Sequence, residues 1–301
     1  MTRRPTNIGA SVRQRLLNEA KKRGESFDYI LSLYARERFL ARLTASPHRS
    51  RLILKGATVL SLWVDVHRTT RDLDFLGHGR FEPEDAIEVI REIVALPVAD
   101  DGIAFDPLSV TAEPIREAGQ YRGARVHLAA ALDTARIRLQ IDIGLGDVVT
   151  PAPPAVLLPS LLDEFSPPKV KVYPPETIVA EKLHALVKLG VANSRMKDFF
   201  DLYALARGRE FDERVLAKAV RRTFARRKTR IPEAPFALTP EFYEDPQKQT
   251  QWRAFLKKSS LDAPEEFREI GDLLRKFLLI LLKTTLQSRM WRGRAWRKRN
   301  R

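Results

Sequence analysis

"TTRDLDFLGHG", Thr69 to Gly79, sets two aspartates one residue apart in an apolar stretch that ends among glycines. Read as a β-strand, it turns Asp72 and Asp74 to one face and Leu73 and Phe75 to the other, because successive side chains alternate. Two carboxylates a pleat apart repel each other. A divalent cation between them removes the repulsion, and Mg²⁺ favours one or two carboxylates completed by substrate phosphates and water. A strand face with two solvated aspartates is the plainer alternative, and the D-x-D pattern alone does not separate the two.

Upstream, "RLILKG" reads as a short strand and "ATVLSLWVD" as a helix, so the quoted stretch closes a strand, helix, strand unit. The turn between them, "LKGAT", passes through Gly56 and offers backbone N–H groups at a helix N-terminus, a favourable place for phosphate. Lys55, Gly56 and Thr58 are therefore candidate nucleotide contacts. Thr70 adds a hydroxyl on the strand face of Asp72, although β-propensity alone explains a threonine there.

Downstream, "EPEDAIEVIREIVAL" carries Pro83 and acidic residues in the first turn of a helix, followed by strands over "GIAFDPLSV", "YRGARVHLAAAL" and "ARIRLQIDIGLGD". The last alternates cleanly, with Ile137, Leu139, Ile141 and Ile143 inward and Arg136, Arg138, Gln140 and Asp142 outward. Asp142 is expected to face the aspartate pair from a neighbouring strand and to serve as a third metal-binding carboxylate. Three carboxylates on one sheet face suit two ions and a phosphoryl or nucleotidyl transfer.

Two helices precede this sheet, "SVRQRLLNEAKKRG" with Ser11 as N-cap and Gly24 as stop, and a second capped by Ser26. After it, "TPAPPAVLLPSLLDEFSPP" holds six prolines in nineteen residues, a density that breaks regular structure and suggests a crossover between domains. "KVKVYP" returns briefly to the sheet, and the rest reads as helices. The expected fold class is α+β: residues 1–150 as a small mixed sheet with flanking helices, and 151–301 as a mainly helical domain with a basic tail.

In "PETIVAEKLHALVKLG", Lys182 shares a helical stripe with Ile178, Leu186 and Leu189, and in "RMKDFFDLYALA" Asp198 shares one with Leu202 and Leu205, with Asp201 beside it. Charges are seldom buried without partners. Either Lys182 and Asp198 form a structural ion pair joining two helices, or the lysine holds a triphosphate while the aspartate orients it or acts as base.

The chain carries 53 Lys and Arg against 38 Asp and Glu, a net +15, which favours a polyanionic partner. "RRTFARRKTR" presents Arg221, Arg222, Arg226 and Arg227, and the tail "RMWRGRAWRKRNR" adds seven basic residues with Trp291 and Trp296, a pattern suited to RNA phosphates and base stacking or to a disordered basic end. The longest apolar run, Phe277 to Leu282, is far short of the ~20 residues a membrane span needs. With no secretory h-region and no cysteine, the expectation is a soluble, cytoplasmic protein without membrane association, thiolate chemistry or Cys-ligated zinc. Nor do the five histidines show a metal-binding spacing.

Taken in order, "LKGAT", "TTRDLDF", "IRLQIDIG", "PETIVAEKLHAL" and "RMKDFFDLYAL" resemble the AbiEii/AbiGii toxin family of nucleotidyltransferases from about Leu52 to Leu205. The resemblance implies a DNA polymerase β-like domain with a helical C-terminal domain, using Mg²⁺ (or Mn²⁺) and a nucleoside triphosphate. By position, the strand motif falls on Thr70, Asp72 and Asp74, the lysine on Lys182 and the late aspartate on Asp198; where the family has Gly-Ser or Gly-Gly, this chain has Gly56-Ala57. Relatives are toxins with a cognate antitoxin, and some add nucleotides to the tRNA 3′ end. The expected activity is thus nucleotidyl transfer to RNA, tRNA above all. Two other readings stay open: nucleotidyl or phosphoryl transfer to a protein, and RNA binding without catalysis.

Overall fold

The computed structural model describes residues 7–66, 70, 72–117, 120–283 and 289–298. His67, Thr69, Arg71 and the last three residues of the basic tail lie outside them. In chain order, α1 (Ile8–Arg23) and α2 (Phe27–Ala45) precede β1 (Leu52–Lys55), α3 (Ala57–Trp63), β2 (Asp72–Gly77) and α4 (Pro83–Val94). Then come β3 (Ile103–Glu117), β4 (Gln120–Leu132), β5 (Ala135–Leu145), β6 (Ala155–Leu157) and β7 (Lys169–Lys171). The remainder runs α5 (Pro175–Leu189), α6 (Met196–Gly208), β8 (Glu210–Asp212), α7 (Glu213–Arg226), α8 (Pro240–Glu244), α9 (Pro246–Ser259), α10 (Phe267–Leu278), β9 (Arg289–Arg292) and β10 (Trp296–Lys298).

Two compact units emerge, each drawn from separated stretches. The first comprises residues 1–56, 70–146 and 154–172, and the second 57–69, 147–153 and 173–301. In the first, the sheet order is β1-β2-β5-β4-β3, antiparallel throughout except for the β2–β5 pair. This is the small mixed sheet expected of the α+β class. Helix α1 starts one turn earlier than expected: Asn7, not Ser11, caps it by accepting from the Ala10 N–H. Ser26 caps α2 as expected.

Helices α2 and α4 supply the apolar cover of the sheet, with Phe39 of α2 in ring contact with Phe75 and Phe105 and α4 burying Val89, Ile90 and Ile93. Strand β5 alternates as read, with Ile137, Leu139, Ile141 and Ile143 buried. Strand β3 is an edge strand, longer than the sequence suggested, and its register shifts between Asp106 and Thr111. Pro107 sits in that irregularity, where a missing N–H costs the ladder nothing. The β6–β7 hairpin returns the chain to the sheet through a bridge from Val172 to Leu54.

The second unit is mainly helical, with an aromatic core in which Phe199, Phe242, Tyr243, Trp252 and Phe267 pack ring to ring. The tail departs from both readings of it. Residues 289–298 form the β9–β10 hairpin, which joins β8 in a three-stranded sheet. Trp291 is fully buried against Phe277 and donates its indole N–H to the Ala206 carbonyl, so it has no face left for a base. Trp296 is half-buried, stacks on Phe277 and donates to the Phe277 carbonyl. The tail tryptophans anchor the hairpin. Among the described residues, no helix is long and apolar enough to cross a membrane.

Candidate active site

The strand registers assemble a row of charges across the whole sheet of the first unit. Antiparallel β1–β2 pairing sets Lys55 opposite Asp74, and parallel β2–β5 pairing sets Asp74 beside Asp142. On β4, Arg125 lies opposite Asp142, and on β3, Glu113 lies opposite Arg125. Paired residues share a face. The row therefore reads Lys55, Asp74, Asp142, Arg125, Glu113, with Asp72 beside Gln140 one pleat along. The other face of the same strands is the buried apolar layer of Leu54, Leu73, Phe75, Ile141 and Ile143.

Asp72 and Asp74 are half-buried on β2, and Thr70 just before it is half-buried as well. Gly56 makes room for Asp74: its φ is +79°, and a Cβ there would collide with the Asp74 carboxylate. Buried Arg36 of α2 donates to the Ser32 carbonyl; burial pulls its pKa down, while Tyr29 and Asp72 act the other way. Thr58 lies half-buried in the first turn of α3.

Asp142 departs from its expected part. Arg125 donates from Nε at 2.9 Å and Nη2 at 2.8 Å to its two carboxylate oxygens, and Gln140 donates at 3.2 Å. Those hydrogen bonds with Asp142 push the Arg125 pKa up. Among the described residues no three carboxylate or histidine groups cluster as a metal site. One member of the expected trio, Asp142, is thus paired with an arginine that the sequence reading did not assign to the site. Asp72 and Asp74, with Gly56 beside the second, are hard carboxylates of the kind that suits a divalent cation completed by phosphates and water.

In the second unit, α5 and α6 bring Lys182 to Asp198 at 2.9 Å and Asp201 at 2.6 Å, and Arg195 reaches Asp198 at 2.7 Å. Burial lowers the Lys182 pKa, but Asp201 and Asp198 outweigh it and the net shift is upward. For Asp198, burial raises the pKa and Lys182 with Arg195 outweigh it, so the net shift is downward. The lysine is held as a cation and the aspartate as an anion. Of the two roles open to Asp198, orienting Lys182 fits this state and acting as base does not, because a base needs a pKa near working pH.

The four arginines at the end of α7 divide. Arg221, Arg222 and Arg226 are exposed. Arg227 instead turns into its own unit, donating to Asp147 at 2.9 Å, pairing with Glu181 at 3.4 Å and meeting His184 at 3.2 Å. Its expected RNA contact is thereby replaced by a structural one. Sequence reasoning missed Arg125, and gave Asp201 and Arg195 no site role, although the three-residue spacing of Asp201 from Asp198 on α6 marks it as a second partner for Lys182.

This fold is similar to that of the nucleotidyltransferase toxin MenT4 of Mycobacterium tuberculosis, at 19% identity and TM-score 0.55, covering 92% of this chain and 90% of that one. Protein JHP933 of Helicobacter pylori aligns at 18% identity and TM-score 0.45, over 82% of this chain and 93% of its own. No curated protein sequence matches significantly. The likeness to MenT4 is one of fold. The profile of the AbiEii nucleotidyl transferase toxins of type IV toxin–antitoxin systems matches residues 38–274, and the chain belongs to that family. It is a transferase enzyme and the toxin of such a system, whose other part is an antitoxin. Nucleotidyltransferase toxins in general use a nucleoside triphosphate and a divalent metal.

Proposed function

We propose that the protein transfers a nucleoside monophosphate from a nucleoside triphosphate to RNA, with the tRNA 3′ end as acceptor and Mg²⁺ (or Mn²⁺) as the metal. The observation that carries this reading is the placement of Asp72 and Asp74 on one half-buried sheet face, with Asp74 set between Lys55 and Asp142 in strand register. The +15 net charge and the exposed arginines of α7 favour a polyanionic acceptor.

The acceptor hydroxyl oxygen forms a bond to the α-phosphorus as the bond from that phosphorus to the β-bridging oxygen breaks, releasing pyrophosphate and the hydroxyl proton. Asp72 and Asp74 would hold the cation, which neutralises phosphate charge and activates the attacking oxygen. Lys182, kept protonated by Asp201 and Asp198, supplies a fixed positive charge for the triphosphate. Asp198 orients that lysine. Lys55, Gly56, Thr58 and Thr70 contribute further contacts to the nucleotide.

The test incubates the protein with Mg²⁺, total cellular RNA and each of the four α-labelled nucleoside triphosphates, with Asp72→Ala alongside. Label in tRNA-sized RNA from the wild type alone supports the reading and identifies the nucleotide. Label in protein, or label transferred only from the γ-phosphate, replaces it with a protein acceptor or a phosphoryl transfer. Equal labelling by Asp72→Ala would remove the carboxylate mechanism.

A further inference from the structure

Strand β5 carries two charges that the reaction described above leaves unused. Counted back from Asp142, its outward residues are Gln140, Arg138 and Arg136, one per pleat, so both guanidinium groups share the sheet face of Asp72 and Asp74. Strand register carries each position across the sheet: Gln140 is level with Asp72 and His127, Arg138 with Ala129, and Arg136 with Ala131. His127, Arg136 and Arg138 are exposed, and among the described residues neither of these arginines has an ion-pair or hydrogen-bond partner. The acid level with Arg138, Asp106 beyond Ala129, accepts from the Leu108 N–H at 2.9 Å instead. The face is thus divided, with carboxylates at one end and two unpaired arginines at the other. Distance along the strand limits what those arginines can bind. At about 3.4 Å per residue, Arg138 stands about 14 Å and Arg136 about 20 Å from Asp142. A triphosphate seated at Asp72 and Asp74 does not span that length, whereas a nucleic-acid strand ending at the carboxylates does, with a phosphate for each nucleotide.

We propose that the outward face of β5, from Gln140 back to Arg136, is the seat of the acceptor RNA. Arg138 and Arg136 hold backbone phosphates upstream of the 3′ end and so aim the terminal hydroxyl at the nucleotide. The small side chains of Ala129 and Ala131 beside them let the backbone lie close to the sheet, and exposed His127, level with Asp72, offers its ring to a base near that end. The seat rests on the reading of the protein as a nucleotidyltransferase acting on RNA.

The test measures label passing from each α-labelled nucleoside triphosphate into unfractionated tRNA, as a function of tRNA concentration and at several salt concentrations. Arg136→Gln with Arg138→Gln should raise KM for tRNA roughly tenfold, leave kcat near that of wild type, and reduce the slope of log KM against log salt by about 1.4, the share of two single-strand phosphate contacts. Both positions are exposed, so the variant should melt close to wild type. Arg136→Lys with Arg138→Lys, which keeps both charges, should recover most of the affinity. Lys21→Gln with Lys22→Gln, which removes the same charge from exposed positions of α1, should leave KM unchanged. A glutamine double variant with the KM and salt slope of wild type, a loss confined to kcat, or an equal rise in KM in the α1 variant overturns the RNA seat and leaves nucleotidyl transfer to RNA standing. Label in protein, or no label with wild type and any of the four nucleotides, overturns that reading and the seat with it.

Discussion

The Lys182 ammonium lies 2.6 Å from Asp201 Oδ2 and 2.9 Å from Asp198 Oδ1, so two aspartates almost fully shielded from solvent share one amine. Removing one partner of such a set leaves a buried charge uncompensated, at a cost of about 3–5 kcal/mol. Lys182→Met is therefore expected to lose more stability than Asp201→Asn, because it takes from both carboxylates the cation they share instead of removing one of three charges. Urea unfolding of the two variants checks the order. The pH dependence follows from the signs. The Asp198 pKa is depressed on folding, so its contribution is complete above its ordinary 3.8 and is lost as pH falls through the lower folded value. The Lys182 pKa is raised, so its contribution is complete below its ordinary 10.5 and is lost only as pH rises through the higher folded value. The stability gap between wild type and Asp198→Asn should stay level from about pH 5 to pH 9 and shrink below about pH 4.

Gly56 offers a separate test of the carboxylate face. Alanine there meets a left-handed backbone at φ +79° and drives its Cβ into the Asp74 carboxylate. Gly79 has a comparable φ of +93°, but its nearest neighbour to such a Cβ is the Arg51 guanidinium at 3.8 Å. Both substitutions to alanine should cost roughly 1–2 kcal/mol through backbone strain. Gly56→Ala alone should also reduce the rise in melting temperature on adding Mn²⁺, since it displaces a proposed ligand. An equal Mn²⁺ response in the two variants would separate Gly56 from the metal.

Local periodicity made the sheet legible: the two-residue alternation of Ile137 to Ile143 and the D-x-D of β2 both survive as faces of one sheet. Arg125 is legible in the same way. The β4–β5 hairpin turns at Asp133, in the left-handed region at φ +53°, and pairs Leu132 with Ala135. Counting outward from that pair places Arg125 opposite Asp142. Arg227 was beyond such counting, because its partner Asp147 lies 80 residues away and only tertiary packing joins them. The same holds for Trp291, whose carbonyl partner on Ala206 is 85 residues distant, while its basic neighbours made the segment look solvated.

The contrast between the tail and α7 gives the last prediction. Trp291 is wholly buried against Phe277 and hydrogen-bonded to α6, so Trp291→Ala should cost about 3–5 kcal/mol, as large aromatic truncations in a core do. Any loss of RNA affinity in that variant should track its unfolded fraction. Arg222 and Arg226 are exposed on α7, and surface substitutions of this kind change stability by only about 0.5 kcal/mol. Arg222→Glu with Arg226→Glu should therefore melt close to wild type yet bind RNA more weakly. The salt dependence identifies the cause, because each lost phosphate contact reduces the slope of log K against log salt by about 0.7 on single strands and 0.9 on duplex. Binding by filter retention at several salt concentrations, beside melting curves for the same samples, measures both. A double variant with wild-type affinity and slope would clear α7 of any part in RNA binding and leave the polyanion to another basic surface.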